Sequence, residues 1–436
     1  MQKIKYKSST IKNMKFINSE SLYQKFVDPK SQLVKIHDKV DFSFVNDLCE
    51  NHYSPDGQYP YLPELVFKVS FIQFFKGGLS DNEVVRQCKT NFEYRYFCNL
   101  SVDDELFDDC KLSRFRNELG PEKFKEIFDI VVEKIKNQGF ISDKDIQYLD
   151  SFLFLADVKI VSINALLSKA IVQALTDMGK EDSQMAEDIK KRDFELSEEQ
   201  QKNRFVFLVR KAQDILASAK KINNLSPQAQ KSIQILARIV KERAEVVNDD
   251  VRKKENDEEK DKIMSISDVD ARFMGKKDKD IAPTYKSHVA MTPNGFISYT
   301  DTTLSTIYDG HHTYMMVKDL KARGFNVPII VGDTHYGDIL LREFMSSHQT
   351  LVVAPYRQNQ AMNSCLTKDV MIEAWAYNHT SEYKEHMKIR AHIEPKQGEM
   401  KNLHGMKRAR LRGLENVRIQ NYMSAIVTNC KHLVAG

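Results

Sequence analysis

A change of hydrophobic period at residue 146 constrains this chain more than any other feature. Before it, apolar residues such as Leu62, Leu65, Val66, Val69, Ile72 and Phe75 recur at three- and four-residue steps, the spacing of a buried helix face. At Ile146-Gln147-Tyr148-Leu149-Asp150, continued by Phe152-Leu153-Phe154-Leu155, the chain turns into a strand-like run of aromatic and aliphatic residues. Strand signals then lapse, and return at Tyr285–Met291 and Gly295–Tyr299 across a Pro293-Asn294-Gly295 turn, which together read as a hairpin. Two short apolar strands follow, Val327–Val331 and Leu351–Ala354, each preceded by a helical stretch. This order predicts an α/β (α+β) mixed sheet with helices packed on it, interrupted by a long insertion.

Residues 179–262 fill the interruption with two amphipathic helices, one carrying Leu208, Ala212, Ile215, Ala219 and Ile222, the other Ala229, Ile233, Leu236, Val240, Ala244 and Val247. Their exit, Lys241 to Lys262, has 16 of 22 residues charged with both signs mixed, the pattern of a solvated helix end or flexible link. The expected domains are a polar arm (1–25), an all-helical N-terminal domain (26–145), a sheet domain in two parts (146–178 and 263–436) and the charged helical insertion (179–262). In the helical domain, Pro63 suits a first turn, Gly77-Gly78 a stop, and Ser80 with Glu83 a capping box. A later helix bearing Arg114 and Arg116 ends at Gly120-Pro121, which suits a helix-turn-helix-like DNA-binding module as well as an ordinary bundle.

Composition narrows the function. The chain is 42% hydrophobic and 29% charged, as a globular protein is. It has no apolar run of membrane-spanning length, and its lysine-rich start is not followed by the apolar core of a signal peptide, so a cytoplasmic, nucleoid-associated protein is expected. Six cysteines without C-x-x-C spacing argue against a zinc or disulfide framework. No phosphate-cradling glycine loop is present, so ATP is not implied. Net charge is only +4, but from Lys384 to Arg412 nine Lys or Arg face three Glu, with Lys407, Arg408, Arg410 and Arg412 clustered. Such a block suits a phosphate backbone.

Asp150 on the first strand, Asp333 just past Ile329-Ile330-Val331, and Glu394 within Arg390–Lys401 are placed to bring three carboxylates to one sheet edge. Hard oxygen donors from distant parts of the chain are what Mg²⁺ takes when it must also keep positions for phosphate oxygens. Asp301 and Asp309 with His311 and His312 could be imagined as another metal site, but turn polarity explains them more simply; His335 suits a surface position and Trp375 a core one.

The stretch Arg390-x3-Glu394-x6-Lys401, followed by Arg410-x-Arg412-Gly413-Leu414 and Asn429, resembles the C-terminal signature of the DDE transposases of bacterial insertion sequences, Tyr-x2-Arg-x3-Glu-x6-Lys, with Met387 in the tyrosine position. Val331-Gly332-Asp333-Thr334-His335-Tyr336-Gly337 resembles the family's second-carboxylate motif, and Leu149-Asp150 the first, for which Asp157 is the alternative. The resemblance implies an RNase H-like fold and metal-dependent strand cleavage and transfer at element ends. It also implies two Mg²⁺ or Mn²⁺ ions held by Asp150, Asp333 and Glu394. Double-stranded DNA, as terminal inverted repeats and as target, would meet Arg390, Lys401, Lys407, Arg408, Arg410, Arg412, Arg114 and Arg116, with the protein oligomeric on DNA. An inactive transposase-derived DNA-binding protein, or a metal nuclease of the same fold, are the alternatives.

Overall fold

The computed structural model describes residues 19–50, 61–191, 203–247, 250–254, 261–275, 281–355 and 369–435. The expected arm is thus described only from residue 19, and it ends in a helix, Ser19–Phe26. The chain forms two compact units, one from residues up to 154 with 286–303 and 307 onward, the other from 155–285 with 304–306.

Five strands make the sheet of the first unit: β1 (Gln147–Leu155), β2 (Ala282–Met291), β3 (Ile297–Leu304), β4 (Ile329–Val331) and β5 (Leu351–Val353). Their order is β3-β2-β1-β4-β5, with β1, β4 and β5 parallel. A three-residue strand, Arg272–Met274, adds antiparallel to the first residues of β2 within the second unit. This mixed sheet with its helices has the RNase H-like fold.

The helices before β1 pack on one another, with buried Phe42 against Phe67 and Phe71, and Phe71 against Phe97. Helix α1 (Pro63–Phe75) begins on its proline and is buried nearly all round, so each face needs a partner. The long C-terminal helix α2 (Leu414–Ala435) provides one, packing on α1 and on the helical segment Cys110–Asn137, where Phe128 stacks on Tyr422 at 6.3 Å. That segment breaks at Gly120 (φ 67°, ψ 173°), as Gly120-Pro121 predicted. Helix α2 also docks on the sheet through buried amides: Asn429 accepts from the Ile297 N–H and donates to its carbonyl, both at 2.8 Å, and Asn421 donates to Thr300 Oγ1 at 2.9 Å. Strand β3 is an edge, and these bonds satisfy backbone and hydroxyl groups that would otherwise be buried unpaired. In this division of the chain the N-terminal helical region falls in the same unit as the sheet.

The second unit has its own core, in which helix Ile163–Met178 packs against Arg204–Ala219 and Pro227–Arg243 through Leu167, Ala174, Val209, Ile215, Leu236 and Ile239. Burying each of the larger of these side chains contributes roughly 1.5–3 kcal/mol before chain entropy is counted. The helix at 163–178 shares this core with the insertion. Ala244 and Val247 lie not on the helix, as expected, but on a strand, paired antiparallel with Asp250–Lys253. Burial of Val251 in the helical core anchors this hairpin, and the surrounding charge hides its short alternation.

Candidate active site

Strands β1 and β4 are parallel, with Tyr148 opposite Val331. Asp150 stands two residues beyond Tyr148 on β1 and Asp333 two beyond Val331, just past the end of β4, so the register brings both aspartates to the same end of the strand pair. Asp150 is half-buried on β1, and its Oδ1 accepts the Ser151 N–H at 2.9 Å. Asp333 follows β4 and caps the single 3₁₀ turn Thr334–Tyr336, its Oδ1 accepting the His335 N–H at 2.8 Å.

Arg390 lies between them. It ends helix Ser381–Arg390, and its Nη2 is 3.6 Å from Asp150 Oδ1 and 4.0 Å from Asp333 Oδ2. After a two-residue break, helix α3 (Ile393–Leu403) opens with exposed Glu394 in its first turn, followed by Pro395. Proline is tolerated there because first-turn N–H groups have no helical acceptor. Burial pushes the Asp150 carboxyl above its ordinary value, with Asp333 and Glu394 adding to the rise and Arg390 and the Ser151 N–H opposing it. The three predicted carboxylates are thus electrostatic neighbours. Asp157, the alternative to Asp150, lies past the end of β1 in the second unit.

The turn carrying Asp333 is fixed from beneath. A Cβ on Gly332 would come 2.5 Å from the Tyr336 ring, so glycine is required for the tyrosine to tuck under the strand end. Tyr336 is 1% exposed, and its hydroxyl has no hydrogen-bond partner among the described residues. Buried Arg342 bonds the carbonyls of Val352 at 2.6 Å and Ala354 at 3.1 Å, tying the helix after this turn to β5. Sequence reasoning missed Arg342. His335 sits at the surface, its carbonyl accepting the Tyr308 hydroxyl at 2.6 Å.

The other expected contacts divide. Lys401, two helical turns beyond Glu394, holds its Nζ 4.6 Å from the Phe152 ring centroid. Lys407, Arg408, Arg410 and Arg412 belong to the loop before α2, where Lys407, Arg408 and Arg410 with Arg412 alternate with buried positions, and Arg114 is exposed as well. Arg116 is not: it is 7% exposed and holds Asp81 with two hydrogen bonds, the longer 3.1 Å. Its guanidinium is held within the fold by this pair. Trp375 is 43% exposed and therefore not a core residue. Asp301 binds Arg418 at 2.8 Å and Asp309 meets Lys286 at 3.1 Å, while His312 is buried and stacked on His288 at 4.1 Å. These groups are structural anchors, and His311 alone of them faces outward.

Among the described residues, no three His, Cys, Asp or Glu side chains are gathered closely enough to enclose a metal ion. The chemistry of Asp150, Asp333 and Glu394 nevertheless fits a hard divalent ion, since all three offer carboxylate oxygens and the first two already flank a positive charge.

Comparison with protein families identifies the chain. A family described as "Transposase domain (DUF772)" matches residues 21–118, and one described as "Transposase DDE domain" matches residues 261–430. No curated protein and no solved structure matches. Membership of this family implies an enzyme that cuts and joins DNA, and the family generally uses divalent metal ions. Together with the RNase H-like sheet and its paired aspartates, these matches identify the chain as a DDE-type DNA transposase of an insertion-sequence family.

Proposed function

We propose that Asp150, Asp333 and Glu394 are the catalytic carboxylates of strand cleavage and strand transfer at the terminal inverted repeats of the element. The observation that carries this reading is the register of β1 and β4, which sets Asp150 beside Asp333, with Arg390 bridging them and Glu394 close enough to act on the Asp150 carboxyl. The same neighbours favour Asp150 over Asp157. Asp150, Asp333 and Glu394 would hold two Mg²⁺ or Mn²⁺ ions, which when bound stabilise charge on phosphoryl oxygens and activate water or a 3′-hydroxyl.

The chain's own residues do the rest. Arg390, before any metal arrives, offsets the repulsion between two adjacent carboxylates; with DNA present, it can grip a phosphate with two parallel N–H donors. Lys401 meets the backbone as a point charge. Partly open Asp333 and exposed Glu394 leave the site accessible to a polymer, and Lys407, Arg408, Arg410, Arg412 and Arg114 offer charge to duplex DNA. The helical region up to residue 145 then serves DNA binding, and the insertion assists in handling DNA, in a protein that assembles as a homo-oligomer on paired ends. Among the described residues no helix is long and apolar enough to cross a membrane, and we assign the protein to the cytoplasm, acting on nucleoid DNA.

Chelated protein incubated with a duplex carrying the element's ends tests this reading. Cutting at the ends should appear with Mg²⁺ or Mn²⁺ and be absent in EDTA. Equal cutting in EDTA, or tight binding without cutting under either metal, would contradict it.

A further inference from the structure

Gln420 is fully buried on α2, yet all of its polar capacity is spent on one surface loop. Its Oε1 accepts from the backbone N–H of Arg410 at 2.8 Å and of Leu411 at 3.4 Å, and its Nε2 donates to the carbonyls of Gly405 at 2.8 Å and Arg408 at 3.2 Å. Inside this loop Met406 and Ala409 are fully buried, while Lys407, Arg408, Arg410 and Arg412 are exposed. The alternation is imposed by the amide: four backbone anchors on one side chain fix which residues turn inward.

The loop is also seated on the N-terminal helical region. His404, fully buried, places Nδ1 3.2 Å from the Phe74 carbonyl and Nε2 3.4 Å from Glu399 Oε1. Gly405 (φ +82°) and Gly78 (φ +77°) approach so closely that a Cβ on either would lie 3.2–3.3 Å from the other's Cα, and a Cβ on Gly78 would also meet Arg410 Cγ at 3.6 Å. Two glycine turns, one from each family-matched segment, thus stack without side chains between them, and Arg410 lies over the seam.

We infer that residues 405–412, seated on the Gly77-Gly78 turn, are a preorganised surface for the phosphate backbone of duplex DNA, and that Gln420 is the positioning residue that sets its shape. The inference deepens the reading of Lys407, Arg408, Arg410 and Arg412 as DNA-binding and rests on it. A loop ordered beforehand loses little conformational freedom on binding, so its cations contribute more of their attraction to affinity.

The test is a binding titration in EDTA against a random-sequence duplex at several salt concentrations. It compares wild type, a variant with Lys407, Arg408, Arg410 and Arg412 changed to Ala, and Gln420→Met, with hydrogen exchange measured on the free wild type. The charge variant should bind more weakly, its slope of log K against log salt reduced by about 0.9 for each phosphate it no longer neutralises. Gln420→Met, which keeps every charge, should lose roughly tenfold in affinity near 0.1 M salt and show a flatter slope. A purely structural role would lower the active fraction and leave the slope unchanged. If the charge variant binds as wild type does, the DNA-binding reading of the loop fails; if only Gln420→Met keeps wild-type affinity and slope, the positioning role fails and that reading stands. Should Gln420→Met not fold, exchange decides: the Arg410 and Leu411 amides should be slow before DNA is added, and fast exchange slowed only by DNA would overturn preorganisation.

Discussion

Arg390 Nη2 stands 3.6 Å from Asp150 Oδ1. The same nitrogen is 4.0 Å from Asp333 Oδ2, so one guanidinium serves two adjacent carboxylates. Arg390→Gln should destabilise the metal-free protein by on the order of 1–3 kcal/mol, less than a fully enclosed pair would lose, because Asp333 stays open to water. Removing the competing positive charge should also tighten Ca²⁺ binding. Thermal unfolding in EDTA and across a Ca²⁺ titration measures both; a variant as stable as wild type, with unchanged Ca²⁺ response, would show that Arg390 does not serve the carboxylates.

Glu399 provides a pH signature. Burial alone would raise its pKa, but the His404 hydrogen bond and the charges of Lys396 and Lys431 together hold it down, at about 2. A depressed carboxyl adds stability that is complete above its unfolded value and is lost as pH falls through the folded one. Glu399→Gln should cost on the order of 2 kcal/mol at pH 7. The gap from wild type should narrow steadily in urea titrations from pH 5 downward, and a gap independent of pH would refute the ion cluster.

Arg116 and Arg114 are two residues apart and should behave oppositely. Arg116→Ala leaves partly exposed Asp81 with the Gln73 amide that donates to it at 2.8 Å, and should destabilise by about 1–2 kcal/mol, leaving the salt dependence of DNA binding as it was. Arg114→Ala, at an exposed position, should change stability by less than about 0.5 kcal/mol and, if Arg114 meets a phosphate, flatten the salt dependence. Urea unfolding beside a binding titration separates the two.

Gly332→Ala should damage the turn that presents Asp333, because the new methyl falls 2.5 Å from the Tyr336 ring. A stability loss of about 1–3 kcal/mol is expected from such overpacking, with slower cleavage. Tyr336→Phe, by contrast, removes a buried hydroxyl that has no partner among the described residues, and should be neutral or stabilising by about 1 kcal/mol. Unfolding curves for the two variants test the pair of outcomes together.

The parts of this structure that were legible in the sequence are those written locally. Pro63 and Gly77-Gly78 bound α1, Ser80 caps the next helix by accepting the Glu83 N–H at 3.2 Å, and Pro293-Asn294-Gly295 turns the hairpin between β2 and β3. The positions of Asp150 on β1 and of Asp333 just past β4 were legible because each follows its own apolar run. Long-range pairings were not. Arg116 looked like a surface cation because nothing near it in sequence announces Asp81, 35 residues away. The strand at Ala244–Val247 was masked by flanking charge, and the four bonds of Gln420 depend on a fold that returns α2 to the loop before it. The apolar stripes of the N-terminal helices show that a face needs a partner, but not that α2 provides one.

Single-turnover cleavage of an end-containing duplex tests the central claim most directly, run with saturating wild-type protein and with Asp150→Asn, Asp333→Asn and Glu394→Gln, in Mg²⁺ and in Mn²⁺. Each substitution replaces a charged oxygen ligand with a neutral group of similar size, so each should slow cleavage by at least roughly a thousandfold while duplex affinity stays within about threefold of wild type. A near wild-type cutting rate in any one of the three would contradict the assignment of that residue to the catalytic carboxylates.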